Sequence, residues 1–173
     1  MMILLTGGSA CGKSSYAESL CLRFEQPRYY IAAMRPYGEG SAAKIARHRE
    51  MRRGKGFETF ERYTDLAGLE LPQRGTVLLE CICNLTANEM FDDEGNMVDP
   101  VAAVLDGVAA LRERCGQLIV VTNDVGSDNK DYDPGTKAYV RALGQINAAL
   151  ARQADHVYEL VCGIPLVLKG TLL

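Results

Sequence analysis

Eight residues near the start of the chain, Gly7-Gly8-Ser9-Ala10-Cys11-Gly12-Lys13-Ser14, satisfy the pattern G-x-x-x-x-G-K-[ST]. Glycines let the backbone curl until successive N–H groups converge on a phosphate, the lysine brings a cation to the outer phosphate oxygens, and the hydroxyl can ligate Mg²⁺. In this reading Gly7 to Gly12, with Lys13, Ser14 and Ser15, cradle the phosphates of a nucleotide, Lys13 stabilises the charge moved in the reaction, and Ser14 holds the metal. Phosphoryl chemistry of this type also needs an acid near the metal, usually at the end of an apolar strand. Glu80, closing Val77-Leu78-Leu79-Glu80, is the first candidate, as a catalytic and metal-holding carboxylate. Asp124, after Val120-Val121-Thr122-Asn123, is the second.

The other chemistry-bearing cluster is basic. Lys44, His48 and Arg52 recur four residues apart, so a helix puts them on one face. Arg49 lies beside them, and Ile45 and Met51 are expected to face the core. Like charge disfavours an imidazolium, so a histidine among these cations is pushed towards its neutral form. A neutral imidazole can act as a nucleophile. Lys44, Arg49 and Arg52 could hold the incoming anion. A solvated basic face with an incidental histidine would look the same by composition. The second histidine, His156, precedes an apolar strand and reads as structural. Cys81 and Cys83 are one residue apart with no second pair, which is core thiol spacing rather than a metal signature.

The elements that must position these groups follow from periodicity. Residues 2–6 form an apolar run before the glycines, and 13–24 carry apolar side chains at helical spacing, the strand and helix that a phosphate loop requires. Further strands are predicted at 29–33, 57–60, 76–82 and 118–122. Helices are predicted at 41–53 with Ser41 as N-cap, at 85–91, from Pro100 to about 115, and at 134–154. Residues 92–96 read as a turn and 127–133 as a polar loop. Residues 156–161 and 164–168 read as a hairpin. Short apolar strands alternating with amphipathic helices imply an α/β fold of three layers, P-loop NTPase-like, with a mostly parallel sheet and a C-terminal antiparallel hairpin. Ligands in such sheets bind beyond the carboxyl ends of the strands. The phosphate loop, Glu80 and residues 123–126 are therefore expected on one edge.

Composition narrows the class. At 173 residues the chain has the length of one domain, 1–173. Its formal net charge is −3, which excludes a broad polyanion-binding surface for nucleic acid. The charge is uneven: residues 44–55 hold six bases and one acid, a block of +5 on a remainder of −8. No apolar run reaches the length of a membrane span. The six cysteines and the absence of an export signal suit reduced thiols in the cytoplasm. From these residues alone, a nucleotide-dependent kinase of some small molecule and a nucleotide-binding regulatory subunit both stay open.

Several stretches together resemble one known family, the bifunctional adenosylcobinamide kinase / adenosylcobinamide-phosphate guanylyltransferases of cobalamin biosynthesis. They are residues 2–14, Lys44-Ile45-Ala46-Arg47-His48-Arg49, Leu78-Leu79-Glu80-Cys81 with Asn88, residues 120–126, and the tail with Asp155-His156, Gly163-Ile164-Pro165 and Leu168-Lys169-Gly170. They span nearly the whole chain in the family's order. The resemblance implies two reactions. ATP or GTP phosphorylates the hydroxyl of the aminopropanol arm, and GTP then donates GMP to the phosphate through a guanylylated histidine. His48 matches that histidine. It also implies Mg²⁺, a corrinoid substrate and a homo-oligomer, a trimer by the same resemblance.

Overall fold

The structure, a computed structural model, describes residues 1–36, 38–92, 94–126 and 131–173; within the helix over 38–52 the side chains of 38–41 and 44 lie outside the description. Among the described residues seven strands form one sheet: β1 (Met2–Thr6), β2 (Arg28–Ala32), β3 (Phe57–Glu61), β4 (Thr76–Leu79), β5 (Gln117–Val121), β6 (His156–Val161) and β7 (Ile164–Lys169). Their order is β3-β2-β4-β5-β1-β6-β7. All neighbours are parallel except β6 and β7, an antiparallel hairpin. The helices are α1 (Lys13–Cys21), α2 (Gly38–Arg52), α3 (Ile82–Met90), α4 (Val101–Arg114) and α5 (Pro134–Gln153).

Alternation along the strands divides the core into two layers. Met2 and Leu4 of β1 face the side of α3, α4 and α5, packing with Leu85, Val108, Leu143 and Ile146. Ile3 and Leu5 face the opposite side, with Ala17, Leu20 and Cys21 of α1. Strands buried on both faces need continuous apolar runs, which is why β1, β4 and β5 are legible as such. The three-layer α/β architecture and the closing hairpin agree with expectation.

Boundaries differ in places. Helix α1 stops at Cys21, three residues before the predicted end, and turns lead on to Phe24. Helix α2 begins at Gly38, so Ser41 lies within it instead of capping it. Glycine disfavours a helix by only about 1 kcal/mol relative to alanine. The good helix formers beyond Ser41 carry the first turn along. Helix α3 begins at Ile82, directly after Glu80 and Cys81, earlier than periodicity indicates. The predicted turn at 92–96 and loop at 127–133 include residues 93 and 127–130, which lie outside the described residues. No helix among the described residues is long and apolar enough to cross a membrane.

Candidate active site

The carboxyl edge of the sheet gathers the predicted groups. β1 ends at the phosphate loop, its neighbour β5 ends at Thr122 and Asn123, and β4, one strand further, ends at Glu80. The loop is shaped by close backbone approaches. Gly7 has φ +133°, and a Cβ there would sit 2.6 Å from the carbonyl oxygen of Leu160. Gly12 has φ +100°, and its Cβ would sit 3.0 Å from Gly163 Cα, in the turn of the β6–β7 hairpin. That turn is tied to the loop by the Gly163 N–H, which donates to the Cys11 carbonyl at 2.8 Å. Lys13 is buried, and its ammonium donates to the carbonyls of Gly7 at 2.9 Å and Gly8 at 2.6 Å, with Cys11 Sγ 3.6 Å away. Ala10 has φ 59°, a left-handed conformation inside the same loop.

A cavity of about 230 Å³ lies over this loop. Ser9, Ala10, Cys11, Gly12, Lys13, Ser14 and Ser15 line it from below; Arg47, His48 and Met51 of α2 line it from above; Glu80, Cys81 and Asn123 line it from the strand ends. A second cavity, about 270 Å³, lies between α2 and strands β2 and β3, lined among others by Tyr30, Met34, Ile45, Arg52, Glu61 and Tyr63. His48 and Glu80 line both cavities and so stand between them.

His48 Nδ1 lies 3.1 Å from Glu80 Oε1 and 3.0 Å from the Tyr30 hydroxyl. The group in contact with the imidazole is therefore a carboxylate, where the helical spacing had suggested cations. An imidazole nitrogen facing a carboxylate carries the proton, which leaves the Nε2 lone pair available. Glu80 and Tyr30 are both buried. Burial, then the Glu80 charge, raises the Tyr30 hydroxyl far above the usual phenol range, so it stays protonated. Cys83 Sγ lies 3.9 Å from Thr122 Oγ1 and 4.0 Å from the Asn123 carbonyl oxygen, and the neighbouring Cys83 thiol, then burial, raises Cys81. Among the described residues no cluster of three or more His, Cys, Asp or Glu side chains could hold a metal, and all six cysteines are free.

The basic block is less of an open anion-binding face than its sequence suggests. Arg49 pairs with Glu61 at 2.8 Å, Arg53 with Glu50 at 3.1 Å, and Lys55 with the buried Glu18 at 2.5 Å. Arg52 is buried, its guanidinium carbon 3.4 Å from the centre of the Tyr30 ring. Lys44's side chain lies outside the description. Among the described basic side chains of α2, Arg47 is the one that lines the phosphate-loop cavity. Ile45 and Met51 line the two cavities, where a place in the core was expected. A helix standing over an open site turns its apolar residues to that site. Asp124 has an exposed side chain; its backbone N–H donates to the Gly7 carbonyl at 3.3 Å. Asn123 lines the cavity in its stead.

Sequence reasoning did not single out Tyr30 or Arg47, and named Asn123 only as one of the residues 123–126 expected at the edge. Tyr30 reads as one more apolar strand residue, and Arg47 as one more base. Asn88 is the clamp behind the site: its side-chain amide donates to the Ala33 carbonyl at 2.8 Å and the Tyr63 carbonyl at 3.0 Å, fastening α3 to the ends of β2 and β3. His156 lines neither cavity; its Nδ1 lies 3.0 Å from the Thr171 carbonyl oxygen and 3.2 Å from the Thr171 nitrogen.

Comparison with known proteins gives the family. The bifunctional adenosylcobalamin biosynthesis protein CobU of Escherichia coli (strain K12) is 31% identical, over 98% of this chain and 100% of that protein. Its counterpart from Salmonella typhimurium is 30% identical over the same shares. A solved structure of a prototypical ATPase from the type III secretion system of pathogenic bacteria superposes with a TM-score of 0.50 at 13% identity, covering 91% of this chain and 50% of that one, a likeness of fold alone. The family model described as cobinamide kinase / cobinamide phosphate guanyltransferase matches residues 3–168, which take in the phosphate loop, His48, Glu80 and most of the closing hairpin. On that match, the chain belongs to the cobinamide kinase / cobinamide phosphate guanyltransferase family of enzymes.

Proposed function

We propose that this single domain carries out both steps of its family at one site, the phosphate loop serving both and His48 serving the second. In the first, the hydroxyl oxygen of adenosylcobinamide attacks the γ-phosphorus of ATP or GTP, the bond to the β-phosphate oxygen breaks, the nucleoside diphosphate leaves, and the hydroxyl proton passes to water. Lys13 and the loop N–H groups stabilise the charge on the transferring oxygens. In the second, His48 Nε2 attacks the α-phosphorus of GTP, the bond to the β-phosphate oxygen breaks, and pyrophosphate leaves. The phosphate of adenosylcobinamide phosphate then attacks the same phosphorus, the P–N bond breaks, and adenosylcobinamide-GDP leaves with the imidazole restored.

One observation carries this reading: the contact between His48 Nδ1 and Glu80 Oε1 at 3.1 Å, at the wall shared by two cavities. A donor bent across that wall has its outer phosphates over the loop and its α-phosphorus at the imidazole. The carboxylate offsets the positive charge that the imidazole gains on attack. Ser14 and Glu80 line one cavity and are hard oxygen donors, a set that fits Mg²⁺ held with phosphate oxygens and water. That ion would neutralise charge on the phosphates. The six free thiols fit a cytoplasmic setting. A homo-oligomer, a trimer by resemblance, is part of the same reading. Its support is the outer strand β7, where Ile164 is 63% and Leu168 60% exposed.

The test uses GTP labelled at the α-phosphorus. Wild-type protein is expected to retain acid-labile label, His156→Asn to retain it, and His48→Asn to lose it. Transfer from γ-labelled ATP or GTP to adenosylcobinamide is expected to fail in Lys13→Ala. Absence of covalent label in the wild type would overturn the guanylyl-histidine step.

A further inference from the structure

Tyr30 sits in the middle of β2, on the face that packs against α1, 2% exposed. An apolar strand position of this kind is served by phenylalanine. A phenol there buries a hydroxyl, which is costly unless it finds partners. Its partner is in the site: His48 Nδ1 at 3.0 Å, itself 3.1 Å from Glu80 Oε1, which puts the carboxylate beside the hydroxyl as the acceptor for its proton. Register explains the meeting. Tyr30 pairs with Leu78 across β2 and β4, so its side chain points to the same face as Glu80, two residues on.

The ring is held as firmly as the hydroxyl. Arg52 lies over one face at 3.4 Å, and Phe57 meets the ring edge-on with centroids 6.3 Å apart. Arg52 Nη2 is 3.4 Å from Thr59 Oγ1, while Nη1 is buried with no hydrogen-bond partner among the described residues. A guanidinium placed so is poorly served by hydrogen bonds. Its contact with the ring face is the interaction that remains, and it joins α2, which carries His48, to β2, which carries Tyr30.

We propose that Tyr30 is a positioning residue for guanylyl transfer: its hydroxyl, donating to Glu80 and accepting from His48 Nδ1–H, sets the imidazole tautomer and angle so that Nε2 faces the incoming phosphorus. The proposal rests on the guanylyl-histidine reading above. Nδ1–H then has two acceptors, the phenol oxygen and Glu80 Oε1, and the phosphoramidate forms on Nε2. The carboxylate keeps enough lone pairs for both donors.

The chain's two histidines make the tautomer directly readable. In ¹⁵N-histidine NMR of the wild type, with His156→Gln to assign the signals, neutral His48 is expected with the proton on Nδ1 and a bare Nε2. Tyr30→Phe keeps the ring, Arg52 and Phe57 contacts. It is expected to melt within a few degrees of the wild type and to bind an α,β-methylene GTP analogue with unchanged Kd. Its single-turnover rate of labelling from α-labelled GTP is expected to fall roughly ten- to a hundredfold. Its His48 signals should show mixed tautomers. A wild-type His48 protonated on Nε2, a Tyr30→Phe rate equal to the wild type, or a rate loss matched by an equal loss of analogue affinity would each overturn the proposal. A wild type that takes up no label overturns the underlying reading instead, and leaves the tautomer measurement to decide this one.

Discussion

At the scale of single residues, the site separates side chains that look alike in sequence. Arg47, Arg49 and Arg52 share a helix and a charge, yet one lines the phosphate-loop cavity, one pairs with Glu61 near the surface, and one is buried on Tyr30. Their substitution should differ accordingly. Arg47→Ala is expected to weaken GTP binding roughly tenfold, about 1.4 kcal/mol, the scale of one charge-assisted phosphate contact. Arg53→Ala, by contrast, removes an exposed ion pair with Glu50 away from both cavities, of the order of 0.5 kcal/mol, and should leave binding nearly unchanged. Equilibrium titration with GTP at fixed salt distinguishes the two, and equal losses would refute the assignment. Lys13 and Glu80 could be picked from motif and strand-end position, and His48 from the family resemblance, since helical spacing alone leaves it open. Tyr30 could not, because its role depends on which residue faces it across the sheet.

At the scale of elements, the edge that holds the site depends on how strands are fastened at their opposite ends. Asp155, between α5 and β6, accepts a hydrogen bond from the Met2 N–H at 2.6 Å and contacts Arg112 at 3.2 Å. These hold its carboxyl below the usual range, the Met2 hydrogen bond being the largest cause. The folded value is lower than the unfolded one. The stabilisation is therefore fully present above the unfolded carboxylate range, and is lost as pH falls through it towards the folded value. Asp155→Asn is expected to cost about 0.5–1 kcal/mol at pH 7, a figure discounted because the side chain is partly exposed. The gap between variant and wild type should close as pH falls below about 4. Urea melts at pH 7 and pH 3 measure it, and a gap that widens in acid would contradict the sign. The strands and most helices were legible from apolar runs and 3.6-residue spacing. The start of α2 was not, because glycine and serine are compatible with both a cap and a first turn.

At the scale of the whole molecule, charge and apolar surface are both uneven. The +5 block survives in sequence, but pairing with Glu61, Glu50 and Glu18 neutralises three of its bases locally. Apolar exposure concentrates at the last strand, where Ile164, Leu166, Val167 and Leu168 are each more than 40% exposed on an edge. An unpaired apolar edge of this kind is a place where strands of other chains add. Light scattering on a sizing column is expected to give a mass that is a multiple of the 18.9 kDa chain. Ile164→Lys with Leu168→Lys should return it to one chain while leaving the thermal midpoint of the monomer little changed. A wild type that runs as one chain at micromolar concentration would remove β7 as an interface.

Local patterns of this protein are those that act over a few residues: the phosphate loop, the apolar strands, the four-residue spacing of the basic helix. Each follows from backbone geometry that neighbours in the chain share, so each is present in the sequence by itself. The meeting of His48, Glu80 and Tyr30 is of another kind. It joins residues from α2, β4 and β2 that are 18 to 50 positions apart, through the register of a parallel pair and the docking of a helix over the strand ends. The same docking buried Arg52 against Tyr30 and left Arg47 over the phosphate loop. Contacts made by side chains on different elements depend on packing in three dimensions, and only the tertiary structure decides them.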